Sequence, residues 1–217
     1  MRILVTGGAR RIGAGIARRL ALRGHDVAIH HHHAPDDAEA LRAAIEAAGG
    51  RCCVVSGELA DAATAPALIE AAREGLGGPV NGLVNNASQF AFDALPLKDF
   101  ALLDQHMRVN LGAPIALAAA LASQPDLEGG AVVNLLDQKV ANLNPDFFTY
   151  TLSKSALAAA TEMMARALGP RIRVNAVSPG LTLPSLDQSE SEFAEHSRQN
   201  LLQRPVALDD VAATVEH

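Results

Sequence analysis

Tryptophan is absent from this 217-residue chain, tyrosine occurs once and cysteine twice. So few cysteines exclude a disulfide scaffold. Cys52 and Cys53 are adjacent in an apolar run. Strand neighbours point to opposite faces, so a bridge between them would be strained, and both read as reduced core residues. With 17 glycines and 11 prolines, collagen-like and disordered classes are excluded as well. The net charge is -6, with no basic excess, which argues against a nucleic acid or an anionic membrane as partner. Met1–Thr6 has neither the length nor the cleavage site of a signal peptide. The longest uncharged apolar stretch, Leu111 to Ser123, falls short of the ~20 residues that cross a bilayer. No linker, repeat or low-complexity tract interrupts the chain. The expectation is one soluble, cytoplasmic domain over 1–217, long enough to bury a core without a metal staple.

What is present is alternation. Arg2–Thr6, Asp26–His30, Arg51–Ser56, Val80–Asn85, Ala131–Leu136 and Arg171–Val177 read as six buried strands, mostly continuous Val/Ile/Leu runs. Between them, Ile12–Arg23, Pro35–Ala48, Thr64–Leu76, Lys98–Ala122 and Thr149–Leu168 carry helical spacing. Gly24, Gly49 and Gly169-Pro170 supply stop signals. Strands alternating with helices predict right-handed crossovers and an α/β, Rossmann-like, doubly wound parallel sheet with helices on both faces. The Ser-, Pro- and Glu-rich segment 178–203, with a short helix near Glu190–Asn200, predicts a substrate-binding lid. A last helix starts near Asp209–Val215.

Thr6-Gly7-Gly8-Ala9-Arg10-Arg11-Ile12-Gly13 follows the first strand and opens the first helix. A dinucleotide's pyrophosphate would lie there, on free backbone N–H groups at the positive end of a helix. Gly7 and Gly13 permit the tight turn and the close approach, although the spacing is not GxGxxG. Tyr150-Thr151-Leu152-Ser153-Lys154 heads the long Ala-rich helix. An i, i+4 pair shares one helix face, so the Lys154 ammonium is expected to lower the Tyr150 pKa and fit it for proton transfer. Tyr150 is the only tyrosine and Lys154 one of three lysines, which weighs against an incidental surface pair.

The glycine turn, Asn85-Asn86-Ala87 after the fourth strand, Asn110, the Tyr-x-x-x-Lys pair and Ser178-Pro179-Gly180 occur in an order that resembles a short-chain dehydrogenase/reductase. The resemblance covers Arg2 to about Val211. It implies Tyr150 as general acid/base, with Lys154 on the nicotinamide ribose and Asn110 holding a water relay behind the lysine. It implies cofactor contacts at Gly7, Ile12, Gly13, Asn86, Ala87, Ser88, Pro179 and Gly180, with Thr182 on the carboxamide or the phosphates. Where the family usually has a substrate-binding serine, this chain has Asp137. An Asp–Tyr–Lys set resembles the pteridine reductase branch, as do Arg11 and the run from Asn85 to Phe90. A carboxyl beside a phenol can relay a proton to a ring nitrogen, while Phe90 and the nicotinamide sandwich a flat heterocycle. Arg11 then serves phosphate or pterin edge, and Ser88 lies beside the substrate. Plain packing for Phe90 and a turn cap for Asp137 are the structural alternatives.

An acid at the end of the second strand selects NAD, and basic groups select NADP. Here stand His31, His32 and His33, with no carboxylate before Asp36, and Arg10 is free to compensate from the glycine turn. NADP(H) is therefore expected over NAD(H). Strand alternation splays the histidine run, so metal binding is not expected. Glu58-Leu59 stands where the family places an aspartate against adenine. The resemblance also implies a seventh strand with a Gly-Gly segment after the last helix, and none follows before His217. The sheet is expected to lack it, with an edge that invites association, and a homo-oligomer (tetramer or dimer) is expected. Three functions compete: NADPH reduction of a pterin-like C=N, reduction of a carbonyl such as a 3-oxoacyl thioester, and a silent NADP-binding sensor.

Overall fold

Six strands form one wholly parallel sheet: β1 (Arg2–Val5), β2 (Asp26–His31), β3 (Arg51–Ser56), β4 (Gly82–Asn85), β5 (Gly130–Leu135) and β6 (Ile172–Val177). Their order is β3-β2-β1-β4-β5-β6. The helices are α1 (Arg11–Leu22), α2 (Pro35–Ala47), α3 (Thr64–Leu76), α4 (Ala101–Met107), α5 (Ala113–Ala122), α6 (Phe148–Leu168), α7 (Glu190–Arg198) and α8 (Leu208–Glu216). This computed structural model describes residues 1–61, 63–185 and 188–217. Residues 186 and 187, inside the expected lid, lie outside the described residues.

The sheet is covered on both faces, which is why its strands read as apolar runs. One face packs under α3 and α5 through Leu68, Ala72, Leu76, Leu117 and Leu121. The other packs under α1, α2 and α8 through Ile16, Leu20, Ile45, Val211 and Val215. Full burial of each large aliphatic side chain stabilises by about 2 kcal/mol. Cys53 packs with the first cluster and Cys52 with the second, on opposite faces as the strand period requires. Among the described residues, β6 pairs only with β5, and no helix is long and apolar enough to cross a membrane.

Three elements differ from the sequence expectation by more than one residue, the simplest being α7, which ends at Arg198 and not Asn200. The fourth strand starts at Gly82, not Val80, because the buried Gln124 amide takes the Val80 backbone. Its Oε1 accepts from Val80 N at 2.9 Å and its Nε2 donates to Val80 O at 2.7 Å. The long helix expected over Lys98–Ala122 starts at Ala101, where Asp99 Oδ1 accepts from the Ala101 N–H at 2.9 Å. It is then divided by a π-helical turn over Arg108–Gly112. Pro114 explains that turn: it has no N–H for the Asn110 carbonyl four residues back, and in α geometry its ring would strike that oxygen. The backbone widens there, as such turns often do beside a functional site.

The winding reverses between β1 and β4, and crevices for ligands open at the carboxyl ends of strands at such switch points. Thr6–Gly8 and Asn85–Ser88 flank this one.

Candidate functional site

Thr6 stitches the two sides of the crevice. Its N–H donates to Val84 O at 3.0 Å, and its Oγ1 accepts from the N–H groups of Asn86 and Ala87 at 3.0 and 3.1 Å. Asn86 Nδ2 donates to the carbonyls of Thr6 and Gly7 at 2.9 and 3.1 Å. Gly7 has φ +59°, and a Cβ on Gly13 would lie 2.1 Å from Gly7 O. The turn is closed onto the helix so tightly that only glycine fits.

The N–H groups of Gly7 and Gly8 are not free, as the sequence suggested, but taken by His30. Its Nδ1 accepts from Gly7 N at 3.1 Å and its carbonyl from Gly8 N at 2.8 Å. The unpaired donors lie one step further on, at the start of α1. Ala14 is the first residue to donate backwards, to Arg10 O, so the Ile12 and Gly13 N–H groups have no helical partner. No side chain caps this end and no acid stands in the first turn, so its positive end is open to an anion.

His30 must stay neutral to accept from Gly7, since its Nε2 faces Gly57 O at 3.1 Å as donor. Burial lowers its pKa from 6.5 to about 4. Between those values the unfolded chain binds a proton that the folded one refuses. Stability is therefore full above pH 6.5 and falls as pH drops towards 4, by roughly 3 kcal/mol at most. Urea unfolding at about pH 7 and about pH 4.5 should show this fall, reduced in His30→Gln. An equal fall in the variant would remove His30 from the account.

At the end of β2, His32 Nε2 lies 3.1 Å from Glu58 Oε2, and the rings of His32 and His33 lie 3.4 Å apart. His31 Nδ1 is buried without a hydrogen-bond partner. Arg10, expected to compensate from the glycine turn, pairs with Asp37 in the first turn of α2, Nε to Oδ2 at 2.6 Å. Leu59 is buried in the first core cluster.

At the end of β5 the Tyr150 hydroxyl donates to Asp137 Oδ2 at 2.9 Å, while Oδ1 accepts from Lys139 N at 2.8 Å. Both sequence readings of Asp137 are thus present: it caps the 3-10 turn Gln138–Val140 and holds the phenol. Lys154 is 2% exposed, its Nζ donates to Leu135 O at 2.7 Å, and it stands 5.8 Å from the Tyr150 ring centroid. The expected acidification of Tyr150 is not found. Burial, then the Asp137 charge and hydrogen bond, push the phenol pKa well above its usual value, with Ser88 pulling weakly the other way. Burial also lowers Lys154 to about 8. The i, i+4 spacing gives the expected proximity but not the expected sign, because loss of water and then a neighbouring carboxylate raise the phenol.

Asn110, fully buried in the π turn, does not bond Lys154. Its Oδ1 accepts from Gln89 N at 2.8 Å and Ser88 Oγ at 3.2 Å, and its Nδ2 donates to Gln89 O and Ser153 Oγ, each at 3.0 Å. It therefore ties the Ser88–Gln89 segment to α6. Phe90 is 44% exposed, too open for plain core packing. It meets Tyr150 edge to face at 4.7 Å and 84°, and stacks on Phe147 at 4.5 Å and 12°. Phe147 escaped the sequence reading. Its φ of +54° is rare for a bulky residue and costs about 1–3 kcal/mol, which the Phe90 stack and the Lys139 ammonium 5.5 Å above the ring help offset.

After β6, Pro179 O accepts from Gln138 N at 3.1 Å, and buried Thr182 turns its hydroxyl to Gly180 O at 2.9 Å. Arg11, also at positive φ, donates from Nη2 to Pro184 O at 2.6 Å, linking the glycine turn to the segment expected to be a lid.

The model of the short chain dehydrogenase family matches residues 1–195. The chain is 45% identical to the FolM alternative dihydrofolate reductase 1 of Brucella canis, crystallised with NADP, with a TM-score of 0.94 over 99% of this chain and 85% of that one. It is 37% identical to an uncharacterized oxidoreductase of Methylorubrum extorquens over 82% of this chain and 71% of the relative. It is also 32% identical to the 3-oxoacyl-[acyl-carrier-protein] reductase of Staphylococcus aureus over 98% of this chain and 87% of the relative. The family model matched over residues 1–195, with relatives above 30% identity over most of both chains, makes this chain a member of the short-chain dehydrogenase/reductase family.

Proposed function

We propose that the protein is an NADPH-dependent reductase of a pterin-like C=N bond. The observation that carries this reading is the 2.9 Å bond from Tyr150 to Asp137 beneath an exposed Phe90. The resemblance matches Asp137 to the position where the family usually has a substrate-binding serine. The 45% identity to a dihydrofolate reductase crystallised with NADP supports it.

The residues present fit the dinucleotide: an uncapped, acid-free helix end, and a glycine turn that admits no Cβ. Gly7, Arg11, Ile12 and Gly13 would hold its phosphates, Asn86, Ala87 and Ser88 the strand side, and Pro179, Gly180 and Thr182 the nicotinamide side. Arg10 and His31–His33 would meet the 2′-phosphate, with Glu58 and Leu59 towards the adenine. When bound, NADPH supplies the hydride.

Reducing C=N adds a hydride to carbon and a proton to nitrogen. Tyr150 holds that proton at Oη, and its raised pKa keeps the phenol neutral until a ring nitrogen accepts. Asp137 orients the hydroxyl and faces the heterocycle, and the buried Lys154 ammonium stabilises the phenolate left behind. Phe90 offers a wall for a flat ring. We read 1–217 as one dinucleotide-binding domain with 178–203 as its lid, held in this structure by Arg11 on Pro184.

The second reading, a 3-oxoacyl thioester reductase, is favoured by the Staphylococcus aureus relative. NADPH oxidation with 7,8-dihydropterins and with 3-oxoacyl thioesters separates the two. Preference for the dihydropterin, by about 100-fold in kcat/KM, is expected. A thioester preference of that size reverses the assignment, and turnover of neither with tight NADPH binding points to a sensor.

A further inference from the structure

α6 begins without a cap of its own, because Phe147 stands at that position and offers no acceptor. The donors at its start are met from elsewhere in the chain. Asp93, in the loop after β4, accepts from Phe148 N at 3.2 Å through its carbonyl and from Thr149 N at 3.0 Å through Oδ1. Its Oδ2 accepts a hydrogen bond from the Thr149 hydroxyl. Thr149 Oγ1 also lies 2.7 Å from Nδ1 of His106 on α4. Since the hydroxyl already donates its one hydrogen bond to Asp93, His106 must be the donor in that contact. Its Nε2 is then a bare acceptor, buried without a hydrogen-bond partner, and the ring stands 6.0 Å from that of Tyr150 at 72°. Thr149 and His106 are both fully buried.

The connection reaches in two directions. Asp93 lies three residues after Phe90 and one after Phe92, and both rings contact Phe147. Thr149 is the residue before Tyr150. We propose that Asp93, through Thr149 and His106, is a positioning residue that locks the aromatic wall to the helix carrying Tyr150. It thereby fixes the slot between Phe90 and the phenol that a flat heterocycle must enter. The substrate rests on the reductase reading above; the clamp itself does not.

The test compares Thr149→Val, which keeps the shape and loses the hydroxyl, with Thr149→Ser, which keeps the hydroxyl. KM and kcat for 7,8-dihydropterin, NADPH affinity, melting temperature and near-ultraviolet circular dichroism are measured for each. With no tryptophan and one tyrosine in the chain, the tyrosine band reports Tyr150 alone. Thr149→Val is expected to raise KM by about tenfold, change the tyrosine band and leave NADPH affinity within about twofold. Thr149→Ser restores both KM and band. A helix cap with only a structural role would lower the melting temperature and move neither. Wild-type KM and band in Thr149→Val, or a Thr149→Ser variant as impaired as it, overturns the proposal. Should the parent protein turn over no pterin, the reductase reading fails separately, and the tyrosine band alone decides the clamp.

Discussion

Tyr150→Phe should lower kcat by about a thousandfold or more while NADPH affinity stays within about threefold of the parent. The substitution removes one oxygen and keeps the ring that Phe90 meets at 4.7 Å. What is lost is the proton donor, together with the hydrogen bond to Asp137. General acid catalysis by a positioned side chain contributes about 10²–10⁴-fold, so a loss at the upper end identifies the phenol as that acid. Single-turnover kinetics with pre-bound NADPH give the cleanest measure, because they separate chemistry from product release. Activity within tenfold of the parent would place the donor elsewhere, with Asp137 the next candidate. The wild-type phenol can also be followed directly, since it is the only tyrosine in the chain. Its ultraviolet titration should lie above the usual tyrosine range in the free protein, the direction that burial and Asp137 impose.

Gly13→Ala should weaken NADPH binding by about 100-fold or more, and lower thermal stability as well. A Cβ there would lie 2.1 Å from Gly7 O and 2.5 Å from Asn86 Nδ2. The first clash is with backbone, which no rotamer change relieves. Either α1 withdraws, moving the Ile12 and Gly13 N–H groups from the phosphate position, or the Gly7 turn opens and breaks the Asn86 bonds. Both routes damage the anion site, and overpacking of this kind typically costs about 1–3 kcal/mol or more. NADPH fluorescence titration and a melting curve measure the two effects together. Gly24→Ala serves as control, because nothing lies within 4 Å of a Cβ built there. It retains only the strain of a positive φ, so its NADPH affinity should match the parent. A Gly13→Ala protein with unaltered affinity would show that the phosphates are held elsewhere.

The strands are legible because burial on both faces leaves an unbroken apolar signature, and the glycine stops mark the ends of α1, α2 and α6. Features resting on local spacing are also readable, such as Tyr150 and Lys154 on one face of α6. Where contacts come from afar, the sequence is silent. Gln124 shortens β4 across 44 residues, and Asp93 caps α6 across 56. Nothing in either neighbourhood announces such a partner. Pro114 does signal a break in the long helix, but the surrounding alanines keep the helical period intact and mask it. The histidine run shows the mixed case. Strand alternation predicts that the whole run splays, but β2 ends at His31 and the rings of His32 and His33 come together at 3.4 Å. Nor does alternation tell which histidine turns inward to brace the phosphate loop. That is His30, which lies outside the cofactor residues expected from the sequence. The Tyr150 pKa departs from expectation for a related reason: i, i+4 spacing gives proximity, whereas its sign depends on water exclusion and on a carboxylate 13 residues earlier.

The widened turn at Arg108–Gly112 also has a bearing on insertions and deletions. A helix advances about 100° per residue, so trimming this loop of backbone by one position would swing α4 by more than a quarter revolution relative to α5. Asn110 would then face away from Ser88 and Ser153, although every amino acid around the crevice were retained. In this stretch the count of residues is as tightly constrained as their identity.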